Sequence, residues 1–139
     1  MVAFSGADDG CVPKKRWKLV VFDPAGHPQE RTVPVNEREY YLVGSNADLV
    51  HIYNSDPSVG GQHAALQHRR VDATKKDDPP GVTRTTVKPY LIDLNSDSGS
   101  FVNGTRIPSS RFYQLHSKDL ITFGSSPIQY VLVRPPKSR

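Results

Sequence analysis

Leu91-Ile92-Asp93-Leu94-Asn95-Ser96-Asp97-Ser98-Gly99-Ser100-Phe101-Val102-Asn103-Gly104-Thr105-Arg106-Ile107 is the stretch on which the fold of this chain turns. Its first part completes an apolar run, Val87–Leu94, in which Tyr90, Ile92 and Leu94 alternate with Leu91 and Asp93. Leu91 is itself apolar, so the run suits a strand covered on both faces. A polar cluster then leads to Gly99, and the short segment Ser100–Val102 runs into Asn103-Gly104, the strongest short hairpin signal in the chain. Gly44, Gly99 and Gly104 all stand where strand ends reverse, and positive φ is expected at each.

Outward from this stretch the pattern repeats. Trp17–Phe22, Arg31–Val35, Tyr40–Val43, Leu49–Ile52, His63–Val71, Phe112–Leu115, Leu120–Phe123 and Gln129–Val133 are short runs of strand formers between turn residues. In Ala64-Ala65-Leu66-Gln67-His68 the alternation weakens toward the charged end, as in a strand emerging into solvent. No segment carries a sustained helical period. Many short strands joined by turns predict an all-β sandwich of two antiparallel sheets, with about ten or eleven strands in a single domain. The domain is expected over 17–133, with a flexible polar tail at 1–16 and a flexible basic tail at 134–139. Asp72–Arg84, polar and of mixed charge, reads as an exposed excursion between two long strands, with Lys75, Lys76 and Arg84 in a solvated loop. Lys14-Lys15-Arg16 is a candidate nuclear address, though a short solvated run is the commoner meaning of such a cluster.

Composition bounds the function. The 139 residues suit one domain; 36% are apolar, and Pro 12 and Gly 10 agree with many turns. The formal charge of +4 is mildly basic, short of a dedicated nucleic-acid arm. Cys11 is the only cysteine, so no internal disulfide forms, and a reducing compartment fits best. The first residues lack a signal-peptide pattern and no apolar run is long enough for a bilayer, so a soluble intracellular protein without membrane contact is expected. An enzyme site cannot be assembled. The chain has no phosphate-binding glycine loop ending in Lys-Ser or Lys-Thr and no His-Glu-x-x-His. His51, His63 and His68 lack a metal-ligand spacing, and Cys11 has no evident activating partner. A binding protein without cofactor or metal remains.

Four patterns, taken together, carry a resemblance. They are Tyr41-Leu42-Val43-Gly44-Ser45 with Ala47-Asp48-Leu49-Val50; Asp56-Pro57-Ser58-Val59-Gly60-Gly61-Gln62-His63-Ala64; the stretch quoted first; and Asp119-Leu120-Ile121-Thr122-Phe123-Gly124. In this order they resemble the forkhead-associated (FHA) domain, which binds protein partners through loops at one end of a β-sandwich. Within that family the polar insertion after His63-Ala64, the run Val87–Leu94 and Arg111-Phe112-Tyr113-Gln114-Leu115 resemble the Smad nuclear-interacting protein type, shared by a subunit of the retention and splicing (RES) complex. That likeness implies a nuclear place in pre-mRNA processing. It concerns the domain alone, without the basic Arg/Ser-rich extension of the larger relatives.

FHA domains typically hold a phosphothreonine with an Arg after the first glycine, a Ser and a basic residue before the histidine, and the Asn of the Asn-Gly turn. At those places this chain has Ser45, Gly60, Gly61 and Asn103. Hydrogen bonds to a charged group are worth roughly 1.5–3 kcal/mol and neutral ones about 1. Losing three such contacts costs about 3–6 kcal/mol, on the order of a hundred- to ten-thousandfold in affinity. The resemblance therefore implies a constitutive protein-binding adaptor with a degenerate phosphothreonine site. The partner loops are expected to comprise Ser45, Asn46, Gly60, Gly61, Gln62, Asn103 and Thr105, with Gly44, His63 and Gly104 as structural support. Asn103 has a second reading, as a turn residue that tolerates positive φ. The alternative is a working phosphothreonine reader with a rearranged cradle, either a backbone nest at Gly60-Gly61 or Arg69, Arg70 or Arg106 reaching in. Against the nest, glycines in loops usually serve the turn alone. RNA contact through His68-Arg69-Arg70 and Lys75-Lys76 is the weakest option, for want of interleaved aromatics. The chain on its own is expected to be a monomer.

Overall fold

Strands dominate because β-branched and aromatic residues recur in short alternating runs broken by Pro, Gly and Asx turns. A computed structural model describes residues 4–135. Its eleven strands are β1 (Lys18–Phe22), β2 (Glu30–Pro34), β3 (Tyr40–Gly44), β4 (Ile52–Tyr53), β5 (Ala64–Asp72), β6 (Thr85–Asp93), β7 (Ser100–Val102), β8 (Thr105–Arg106), β9 (Phe112–Gln114), β10 (Leu120–Phe123) and β11 (Gln129–Val133). They form a six-stranded sheet, β2-β1-β11-β10-β7-β8, and a five-stranded sheet, β4-β3-β5-β6-β9. Neighbours are antiparallel except that β4 joins β3 in parallel. No helix is long and apolar enough to cross a membrane among the described residues.

The sheets close on one core. Alternation sends Leu19 and Val21 of β1, Ile121 and Phe123 of β10, and Tyr130 and Leu132 of β11 inward from one sheet. Tyr41, Val43, Leu66 and Leu91 meet them from the other. Each fully buried aliphatic side chain contributes about 1.5–3 kcal/mol relative to exposure. Pairing of β5 with β6, from Ala64↔Asp93 to Asp72↔Thr85, makes the longest hairpin. The excursion that joins them is closed by Ala73 N–H donating to Arg84 O at 2.8 Å, and Arg84 is paired there with Asp78 at 3.0 Å.

Three expectations are corrected. Leu49–Ile52 is not a strand. The Asn46 side chain accepts the Asp48 N–H and its carbonyl accepts the Leu49 N–H, so these residues form an Asx turn, and β4 begins only at Ile52. Within the segment expected to be a loose tail at 1–16, residues 7–11 instead lie against β5. Cys11 N–H donates to His68 O at 3.1 Å, Arg70 N–H to Asp9 O at 2.8 Å, and Ala7 N–H to the Gln67 side chain at 2.9 Å. For the same reason β5 emerges into solvent only at its charged end, Arg69–Asp72, and later than the alternation suggests: Gln67 and His68 are wholly buried. The basic tail expected at 134–139 lies outside the described residues from 136 onward.

Candidate partner-binding end

Where β3, β5 and β6 meet at one end of the sandwich, residues 45–51, 54–63 and 94–99 form three adjacent loops. The first two run as a pair: Ser45 N–H donates to Gly60 O at 3.0 Å, and Asn46 N–H to Gly61 O at 3.2 Å. The Ser45 hydroxyl turns inward to Val59 O at 2.8 Å. This close approach explains Gly44, whose φ is not positive as expected; a Cβ there would stand 2.1 Å from Gly61 O. The demand is for space. Gly99 and Gly104 do take positive φ, at 88° and 82°.

His63 joins the second loop to the third. Its Nδ1 accepts the Gly60 N–H at 2.9 Å, so Nε2 carries the proton and donates to Gly99 O at 2.8 Å. The ring is fully buried, edge-on to Phe123 at 5.4 Å. Buried Asn54 roots the second loop by donating to the Tyr130 hydroxyl at 3.0 Å and the Ser126 hydroxyl at 3.1 Å. Burial pushes the Tyr130 hydroxyl above the usual tyrosine range. Asp56 accepts the Ser58 hydroxyl at 2.6 Å and its N–H at 2.9 Å, which holds the carboxyl below its ordinary value. In the third loop buried Asp93 accepts the hydroxyls of Ser96 at 2.6 Å and Ser100 at 2.7 Å. The Ser98 hydroxyl donates across to Ser58 O.

Between the paired loops and the third loop runs a shallow cleft. Asn46, Leu49, Gly60, Gly61 and Gln62 line one side and residues 94–97 the other. Among the described residues the only ionisable side chain on these walls is acidic, Asp97. Of the residues expected at the partner loops, Asn46, Gly60, Gly61 and Gln62 are therefore together, with Ser45 beneath them. Asn103 and Thr105 are not. They belong to the β7–β8 hairpin, where the Asn103 amide donates to Asp119 at 3.0 Å and accepts the Leu120 N–H at 2.9 Å. With φ at 51°, Asn103 is a turn residue whose side chain locks β10.

The three arginines separate likewise. Arg69 and Arg70 lie five and six residues along β5 from the loops, about 17–20 Å away at the rise of a strand. Arg69 grips Asp9 with two bonds, of 2.9 and 2.8 Å, and stacks over Tyr90 and Phe112. Arg70 reaches the Cys11 sulfur at 3.3 Å. Only Arg106 reaches the loops: a Cβ on Gly99 would lie 2.6 Å from its Nε, and its Nη2 donates to Asp97 O at 3.4 Å. Gly60 and Gly61 form no nest. Neither has positive φ, and the Gly60 N–H is taken by His63. Nor does the turn demand them, because a Cβ at either would meet nothing nearer than 3.6 Å.

Two sheets with loops stitched at one end by a buried histidine are the setting the four sequence patterns require. The model of the FHA domain matches residues 41–124. The chain belongs to the FHA family. It is 36% identical over 136 residues to Smad nuclear-interacting protein 1 of mouse, covering 96% of this chain and 33% of that one. It is also 36% identical over 121 residues to the FHA domain-containing protein DDL of Arabidopsis thaliana, with 87% and 37% covered. The chain thus spans about a third of the length of these curated relatives. Among solved structures it resembles the yeast splicing factor Pml1, described with its integration into the RES complex. There the TM-score is 0.75 at 18% identity, over 99% of this chain and 100% of that one.

FHA domains are protein-interaction modules, and in this one the loop scaffold is built by residues to which sequence reasoning gave no role. Asp56, Ser58, Asp93, Ser96 and Ser100 fix the loop shapes, and Asn54 with Tyr130 anchors them to the core. A local signal existed for some: an acid followed two or three residues later by serine marks a side-chain-capped turn. No local signal could have paired Asn54 with Tyr130.

Proposed function

We propose that this FHA domain is a constitutive adaptor, holding an unphosphorylated segment of a protein partner in the loop-end cleft, within a nuclear complex of pre-mRNA processing. One observation carries the reading: the cleft walls bear Asp97 and no cation, and the Gly60 N–H that a phosphate would need already serves His63. A dianion there would meet a like charge and no cation on the walls to pair with it. The nuclear and splicing setting rests on the relatives, one named for nuclear interaction with Smad and one described as a splicing factor of the RES complex.

A second reading has Arg106 in its favour. Lying over Gly99 in an exposed position, it is the cation that could swing toward a phosphate at the cleft rim. RNA contact gains nothing from the arrangement, since His68 is buried and Arg69 is spent on Asp9.

A titration with a degenerate phosphothreonine peptide library and its unphosphorylated twin separates the readings. The adaptor reading expects no phosphate-dependent binding tighter than about 100 μM, some 5–6 kcal/mol. Such binding, lost in Arg106→Gln, would establish the rearranged cradle instead. The variant S45R/G60S/G61R serves as the positive control, because both glycine positions have room for a Cβ. It is expected to gain phosphate dependence by about tenfold or more.

A further inference from the structure

At the opposite end of the sandwich the two sheets open into a second cleft. Its walls come from the segment before β1, the middle of β6, and the residues that follow β9 and β11. Lys15, Lys88, His116 and Arg134 stand around it over a floor that includes Trp17 and Leu115. Lys88 lies five residues from the Asp93 end of β6, so this cleft is about 16 Å from the loops. Among the described residues no acidic side chain lines it. Asp119 stands behind it, bonded to the His116 N–H at 2.8 Å and 3.9 Å from its Nδ1.

The floor of this cleft is apolar: Trp17 is 6% exposed and Leu115 1%, so the surrounding cations meet no counter-charge there.

We propose that this cleft is a docking site for an acidic, Asp/Glu-rich segment of a protein partner, separate from the FHA loop end. Lys15, Lys88 and Arg134 receive its carboxylates over the floor of Trp17 and Leu115. Single-stranded nucleic acid fits worse, because its bases stack on exposed rings and the Trp17 ring is buried. Lys15 belongs to the Lys14-Lys15-Arg16 run, which here acquires a place in the fold.

The test is fluorescence polarisation of a labelled Glu/Asp peptide against the full chain at about 50 mM salt, where charge contacts are weakly screened. Lys15 and Arg134 are exposed and outside strands, so K15E/R134E should fold; it is expected to weaken binding by at least about tenfold. K75E/K76E makes the same change of net charge in the exposed β5–β6 excursion and should stay within about twofold. The triple variant at the loop end should bind the acidic peptide like the parent, so failure of the adaptor reading leaves this site untouched. Four results would each overturn the proposal: no binding below about 1 mM, equal loss in the two double variants, tighter K15E/R134E-sensitive binding of a U-rich oligonucleotide, or K15E/R134E-sensitive binding that requires a phosphorylated peptide.

Discussion

At Gly44 a single absent atom sets the geometry of the loop end. The carbonyl of Gly61 would lie 2.1 Å from a Cβ at this position and the Gly60 carbonyl 2.9 Å away, and both belong to backbone held by hydrogen bonds to residues 45 and 46. Neither can retreat without breaking the pairing of the two loops. Gly44→Ala is therefore expected to cost about 2–3 kcal/mol through overpacking, while Gly61→Ala, whose nearest neighbour is 3.6 Å away, changes little. For a domain of this size that difference appears as a drop in Tm of roughly 5–10 °C for Gly44→Ala alone. Equal melting of the two variants would remove close approach as the reason for the glycine. Sequence marked the position but not its cause: a glycine at a strand end reads as positive φ, and only the carbonyls of a loop sixteen residues on reveal the need for space.

Elements were legible where their signals were local. Ser100–Val102, Leu120–Phe123 and Gln129–Val133 have the bounds that alternation and turn residues indicate. The reading failed where a side chain competes with the backbone, as Asn46 does at the Asx turn, or where a remote segment covers a strand. The Asp9 segment is the clearest such case. Its residues are polar and rich in turn formers, yet Asp9 meets Arg69 in a two-bonded pair, and Arg69 holds its place over Tyr90 and Phe112. Arg69 draws the Asp9 carboxyl below its ordinary value, chiefly by hydrogen bonding. The pair is about one-third exposed, so solvent screens it and its worth is modest. Asp9→Ala should lower stability by about 1 kcal/mol, and about 0.5 M salt should erase part of the difference. Thermal melting at two salt concentrations measures it; a variant melting like the parent at low salt would mean that backbone bonds to β5 hold the segment unaided.

Over the whole molecule, the two-sheet architecture was readable because apolar residues alternate in many short runs, whereas the sheet orders are set by pairings between residues far apart, such as Leu19↔Leu132. The same long-range packing governs the response to pH. His68 sits on β5 beneath the N-terminal segment, and its Nε2 donates to Val35 O at 2.6 Å. Burial holds it below the usual histidine value, although the bond to Val35 opposes the shift. His51 moves the same way, by desolvation and by the charge of Arg38, and its Nδ1 is occupied as acceptor for the Leu42 N–H. In the unfolded chain both imidazoles take a proton near pH 6.5. Between that value and their lower folded values the unfolded state binds more protons, so stability rises with pH there. The contribution of both groups is thus complete above about pH 6.5 and is lost as pH falls through the folded values. Asp9, Asp56 and Asp72, whose carboxyls are held low, add a separate loss at more acid pH, below about 4. Urea midpoints should hence be flat from pH 8 to about 6.5 and decline from there toward pH 5. His68→Gln removes the buried titrating group, so its midpoint should be lower at neutral pH but decline less steeply, and adding His51→Gln should flatten the profile further. A slope unchanged in both variants would place the acid sensitivity elsewhere than in these two imidazoles.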